Sequence, residues 1–205
     1  MSFFNDNSKF GLIYLILGII TIVVGILSAI SGALTEEGEK ISFALILGGV
    51  GSVIYGFLIT KAAAKIRSGE IASKFEIIIL LITMIAIGTF ISSILGGIGT
   101  AIDGDIGSGV FTIIIGIIIV LILGFVLKKL QDGKNGILDK IIWILMILIA
   151  LFTLVAGILE MIGAIGVGDA LSLVVGLIDG FCTFFVGVFV LLALFDDGVK
   201  KEIGI

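Results

Sequence analysis

FGLIYLILGIITIVVGILSAISGAL, residues 10–34, runs for 25 positions without a charged side chain. As a helix rising 1.5 Å per residue it exceeds the ~30 Å hydrocarbon core of a bilayer. Its apolar residues are continuous rather than alternating, which favours a transmembrane helix over a barrel strand. Five runs of the same kind follow, at 41–60, 77–102, 106–127, 141–167 and 170–195. Each holds the roughly 20 residues that one crossing requires.

Composition agrees with six crossings. The chain is 60% hydrophobic and 14% charged, against about 45–50% and about 25% for soluble domains. No segment between the runs is longer than the 16 residues of 61–76. The sequence therefore predicts one integral membrane domain over 1–205, all-α, with no room for a soluble domain. Eleven of the twelve Lys and Arg residues, from Lys9 through 61–76 and 128–140 to Lys200 and Lys201, fall on one side, with Lys40 alone opposite. By the positive-inside rule both termini are cytoplasmic, in a cell membrane. The other side is acidic, with Glu36, Glu37, Glu39, Asp103, Asp105 and Asp169. Ala29-Ile30-Ser31 loosely imitates a signal-peptidase site, but the run before it is longer than the ~7–15 residues of an ordinary signal core and reads as an anchor.

One cysteine, Cys182, and no histidine exclude an intramolecular disulfide and the common thiol and imidazole metal sites. There is no phosphate-binding Gly-x-x-x-x-Gly-Lys-Ser/Thr and no nucleophile–histidine arrangement. The expectation is a non-enzymatic protein without catalytic residues, metal, cofactor or nucleic-acid partner, whose environment is lipid.

Shifted by about 65 residues, the chain resembles itself. Lys9-Phe10 falls on Lys74-Phe75 and then on Asp139-Lys140; Ser28-x-x-x-Gly32 falls on Ser93-x-x-x-Gly97, with Gly163 at the third position. The second helices match at a shift of 64, aligning Gly48, Thr112 and Gly176, and then Ser52, Gly116 and Gly180. The expected architecture is three tandem helical hairpins, 9–73, 74–138 and 139–205. An even number of spans per unit makes the repeats parallel about an axis along the membrane normal. With no proline in the chain, the spans should be mostly unbroken.

Gly11, Gly18, Gly25 and Gly32 recur every seventh residue, Gly48, Ser52, Gly56 and Thr60 every fourth, and Gly176 and Gly180 lie four apart. Lipid-immersed helices have little hydrophobic reason to associate, so small residues that let backbones approach are expected to form the seams. Whether the seams close within one chain or between copies stays open, and with it a homo-oligomer. Lys61 is expected to end the second helix and snorkel, Trp143 to join an interfacial aromatic belt, and Cys182 to be a small apolar filler.

Two acidic residues, Glu160 and Asp179, sit well inside the runs. Glu160 lies nine residues before Asp169 and Asp179 ten after it, which places both on the order of 13–15 Å below the turn. A charge facing lipid at that depth costs at least ~2.5–3.5 kcal/mol, so both should point into the bundle. Two carboxyls together in low dielectric cannot both ionise cheaply, and one shared proton is expected. The matching positions elsewhere are Ala29 and Ile94, so the repeat itself does not require an acid. Three readings compete: a pair that merely hydrogen-bonds, to itself or to Thr153 and Thr183; a proton or cation pathway; and an amphipathic-ligand site. Glu160, Asp179 and Thr183 are the candidate binding residues.

The Leu17-Gly18-Ile19-Ile20 and Val24-Gly25-Ile26-Leu27 stretches, with Ile46-Leu47-Gly48-Gly49 and Tyr55-Gly56-Phe57, resemble the HdeD-like acid-resistance membrane proteins, which are built from a short repeated hairpin. The chain departs from them in having no proline after the first helix of a repeat. The resemblance implies a bacterial or archaeal multi-pass protein linked to acid or envelope stress, with no catalytic residues to carry over. A small proton-coupled transporter or channel using Glu160 and Asp179 is the alternative.

Overall fold

The computed structural model describes residues 6–34, 41–71, 73–131, 137–165 and 170–205. Among these residues every regular element is an α-helix: α1 (Asn7–Ala33), α2 (Phe43–Arg67), α3 (Lys74–Ile102), α4 (Ile106–Gln131), α5 (Ile137–Ile165), α6 (Ala170–Leu194) and the short α7 (Asp197–Ile203). The first six are long and apolar enough to cross a membrane. The protein is an all-α, multi-pass membrane protein.

Local chemistry sets where the helices begin and end. Asp6 caps α1, accepting the Ser8 and Lys9 N–H groups at 3.1 and 3.3 Å. α2 does not stop near Thr60 but continues to Arg67. Ala62, Ala63 and Ala64 are the strongest helix formers, and Lys65 and Arg67 complement the negative end of the helix dipole. Lys61 is therefore not the helix end; it is an exposed residue nearly two turns inside it. The chain then turns at Gly69, whose φ of +77° suits glycine. Ser73 and Glu76 start α3 with a reciprocal capping box.

Consecutive helices pair as hairpins, α1 with α2, α3 with α4 and α5 with α6, and α2 also packs along α3. The result is a continuous row from α1 to α4. The α5–α6 hairpin is held to this row more lightly, mainly through α1 against α6. Each hairpin has a point where two glycines approach each other reciprocally: Gly25 with Gly49, Gly97 with Gly109, and Gly157 with Gly180. A Cβ on Gly25 would lie 2.6 Å from the Gly49 carbonyl oxygen, and one on Gly180 would lie 2.7 Å from that of Gly157. Only glycine admits backbones this close.

The predicted seams map unevenly onto these contacts. Gly18 lies against Ile59 and Thr60, Gly25 against Gly49 and Ser52, Gly32 against Leu45, Gly56 against Gly18 and Ile22, and Gly176 against Ala164. Gly48 is the exception: a Cβ there meets nothing within 4 Å. Its neighbour Gly49 makes the approach instead, because helix rotation turns that residue, one step of about 100° away, onto α1. Opposite the α1 seam, Leu12, Ile16, Ile19, Val23, Ile26 and Ile30 are exposed, at the spacing of one helix face. In lipid that exposure costs nothing. α4 shows large apolar side chains around most of its circumference, consistent with its place at the end of the row.

The well-packed core is confined to one half of the molecule. The largest fully buried side chains, among them Ile66, Ile78, Leu81, Ile142, Met146 and Leu194, all lie toward the end where the basic residues and both termini gather. We call this the basic end. Phe10 stacks on Phe189 with ring centroids 3.8 Å apart. α7 closes this end, burying Val199 and Ile203 against the core and packing on α3. Lys74 pairs with Asp196 at the α6–α7 joint. Trp143 donates its Nε1–H to the carbonyl of Leu194 at 3.1 Å and packs edge-on against Phe195. Its indole thus satisfies an orphan carbonyl at the end of α6.

Candidate functional site

The half of the bundle away from the basic end is packed differently. Between α5–α6 and the α1–α3 part of the row lies a cavity of about 350 Å³. Serine, threonine and tyrosine are concentrated along its wall. α1 contributes Tyr14 and Thr21, α2 Ser52 and Tyr55, and α3 Thr89, Ser92 and Ser93. α5 adds Thr153 and Glu160, and α6 adds Asp179, Cys182 and Thr183. Among the described residues, the lining holds no Lys or Arg.

The register of α5 on α6 brings the two acids level. Ala164 lies against Gly176, Met161 and Gly157 against Gly180, and Leu154 against Gly187. Glu160 and Asp179 are each one residue from the Met161–Gly180 contact, on opposite sides of it in these antiparallel helices, and so lie within about 3 Å of the same height. The sequence-based depth estimate, counted from the intervening turn, led to the same pairing; Asp169 itself lies outside the described residues. Thr183 lies one turn beyond Asp179 and lines the same cavity as both acids. The candidate residues Glu160, Asp179 and Thr183 therefore line one cavity together. Thr153, the other expected partner, gives its hydroxyl proton to the Ile149 carbonyl at 2.9 Å.

The two acids are not sealed inside the bundle. Both are exposed in the bare protein, so the cavity reaches the surface. Gly163, matched in sequence to Gly32 and Gly97, is exposed, with nothing within 4 Å of where a Cβ would stand. Gly88 lets the Tyr55 ring lie flat on α3, where a Cβ would meet ring carbons at 2.7–2.9 Å.

Sequence reasoning missed the tyrosines. The chain has only two, and both line the cavity. The available signal was their position: tyrosine in membrane proteins collects at the interfaces, whereas Tyr55 falls midway along α2. Thr89, Ser92 and Ser93 form a polar cluster within an apolar run and could have been found the same way. Cys182, expected as filler, is buried and borders this cavity.

The acidic loops are less available than a count of charges implied. Asp103 accepts the Phe43 and Ala44 N–H groups at 2.8 and 3.0 Å and the Ser42 hydroxyl at 3.2 Å, capping α2 from the end of α3. These bonds, the Ala44 N–H foremost, hold its carboxyl below the usual carboxylate range. Asp105 accepts the Ser108 N–H at 3.0 Å at the start of α4, and its carboxyl is lowered for that reason. Glu36, Glu37, Glu39, Lys40 and Lys134 lie outside the described residues. Among the described residues no group of three or more His, Cys, Asp or Glu is placed to hold a metal ion.

Comparison with family models, with curated proteins and with solved structures returned no match. The reading of this site rests on its own geometry.

Proposed function

We propose that the protein is a small proton-coupled transporter that binds its solute in the cavity between the α5–α6 hairpin and the α1–α3 row. One observation carries the reading: Glu160 and Asp179, the two acids deep within the spans, line a single hydroxyl-rich cavity of about 350 Å³. Ionisable side chains in transmembrane helices are costly, and a polar cavity around them marks a solute or proton path. A pair that only latched α5 to α6 would need no such space. The arrangement also offers a way to alternate access. The cavity lies on the seam between a lightly held hairpin and a continuous row, while α7 and the packed core close the basic end. Rocking of one body against the other about a fixed site is how many such bundles work.

The remaining elements of the reading are proposed with it. The unit is three parallel hairpin repeats. The packing of Gly32 on Leu45 and of Gly97 on Gly109, pairs related by the same shifts that align the sequence, supports this for the first two. The basic end faces the cytoplasm of a bacterial or archaeal cell, no reaction is catalysed, and a homo-oligomer is compatible with the exposed apolar faces. The stress-linked role implied by the resemblance to HdeD-like proteins gives the setting, since a protonatable cavity responds to acid.

The test is proton flux into liposomes containing the purified protein. Asp179→Asn and Glu160→Gln should abolish a pH-gradient-driven flux while the thermal unfolding midpoint stays near that of the parent. An unchanged flux, or no flux from the parent under any gradient, would remove the proposal. A purely structural pair would behave otherwise, losing stability when one acid alone becomes Leu and recovering it when both do.

A further inference from the structure

Resting on the transport reading, we infer that the solute is a small monovalent organic cation, an ammonium with a short apolar body, that competes with a proton for the Glu160–Asp179 pair. Size argues against a bare metal ion. The cavity holds about 350 Å³, ten or so times the ~30 Å³ share of one water and within the range of small-molecule sites. It offers two carboxylates, with no third His, Cys, Asp or Glu positioned for a metal among the described residues. Charge argues against an anion, because among the described residues the lining has acids and hydroxyls and no cationic side chain.

The wall supplies what an ammonium uses. Tyr55 is held by its contact with Gly88 and lines the same cavity as Asp179. An aromatic face beside a carboxylate is the combination that binds quaternary and alkylated ammonium groups. Leu17, Ile59, Ile85 and Val186 add apolar wall and suit the apolar body. Among the described residues, the titratable groups that line the cavity with the pair are Tyr55 from α2, Tyr14 from α1 and Cys182 from α6; the polar groups of α3 there are hydroxyls, and α5 adds no titratable group beyond Glu160. With one proton shared, the pair carries one negative charge. A second proton or one ammonium neutralises it equally well, and in a low-dielectric site the neutral states are the stable ones. Proton and cation thus exclude each other, which couples their movements.

Choline, its neutral isostere 3,3-dimethylbutan-1-ol and the anion pivalate distinguish the possibilities by calorimetry on the full chain in detergent. Choline should bind, and the alcohol and pivalate should not. Apparent choline affinity should fall about tenfold per pH unit on the acid limb, with proton release there approaching one per cation, as linkage requires. Tyr55→Leu should weaken choline roughly tenfold while Tyr55→Phe holds it near the parent value. Equal binding of the alcohol, or pH-independent choline binding, would overturn the inference. Failure of choline to bind while the acid-dependent proton flux persists would sink the cation assignment and leave the transport reading intact. Loss of both would remove the two together.

Discussion

Gly48 and Gly49 are adjacent in α2, identical in type and equally helical, yet alanine should act on them with opposite sign. At Gly48 a Cβ meets nothing within 4 Å. Gly48→Ala then gains only the backbone preference of alanine over glycine in a helix, about 0.8–1 kcal/mol. At Gly49 a Cβ would strike the Gly25 carbonyl oxygen, and would lie 2.7 Å from the Ala29 nitrogen and 3.0 Å from the Ala29 Cβ. These are backbone atoms or atoms fixed to backbone, so relief requires α1 to move off α2 by something near 1 Å. A gap of about 0.5–1 Å forfeits a quarter to a half of each contact of ~0.1–0.2 kcal/mol, and several tens of atom pairs along the seam then lose about 2 kcal/mol. Offset by the same helix preference, Gly49→Ala should be destabilised by about 1 kcal/mol, within the usual range for overpacking. The two variants should therefore differ by about 2 kcal/mol. Reversible unfolding in mixed micelles with increasing fraction of denaturing detergent reads the difference. Shifts of the same sign and size would refute the placement of the α1–α2 seam.

Two further outcomes follow from groups at the helix ends. Because its bonds to α2 lower the Asp103 pKa, its contribution to stability should be complete above the ordinary carboxylate value of about 3.9 and lost as pH falls through the lowered one. The Tm gap between the parent and Asp103→Asn should narrow progressively as pH falls below the ordinary carboxylate value, and a gap that widens on acidification would contradict the capping role. Trp143→Phe keeps the ring contact with Phe195 but removes the donor to Leu194. The same micelle unfolding should show a loss of about 0.6 kcal/mol, at most ~1.7; no loss would mean that carbonyl is satisfied without the indole.

The membrane spans were legible because hydrocarbon admits only long apolar helices, and short loops force neighbours to pair. That Glu160 and Asp179 lie level was legible for a related reason: two helices leaving one turn rise at the same rate per residue. The extension of α2 through Ala62, Ala63 and Ala64 was written in helix preference but obscured by Lys61, a charge that marked the end of the apolar run without marking the end of the helix. The capping role of Asp103 was not legible, since a carboxylate in a short loop can cap a helix from another hairpin, and residue type does not reveal which.

From the amino-acid sequence alone came the solvent, the number of crossings, the pairing of consecutive helices and the two acids that stand out against lipid. These follow from composition and from the constant rise of a helix, which are properties of single segments. Only the tertiary structure decided that Gly49 and not Gly48 meets α1, that Tyr14 and Tyr55 line the same cavity as Glu160 and Asp179, and that the bundle is packed solid at its basic end and hollow beyond it. Each of those depends on how far a helix is rotated about its axis. That angle is set by contacts among all its neighbours at once, and no one segment encodes it.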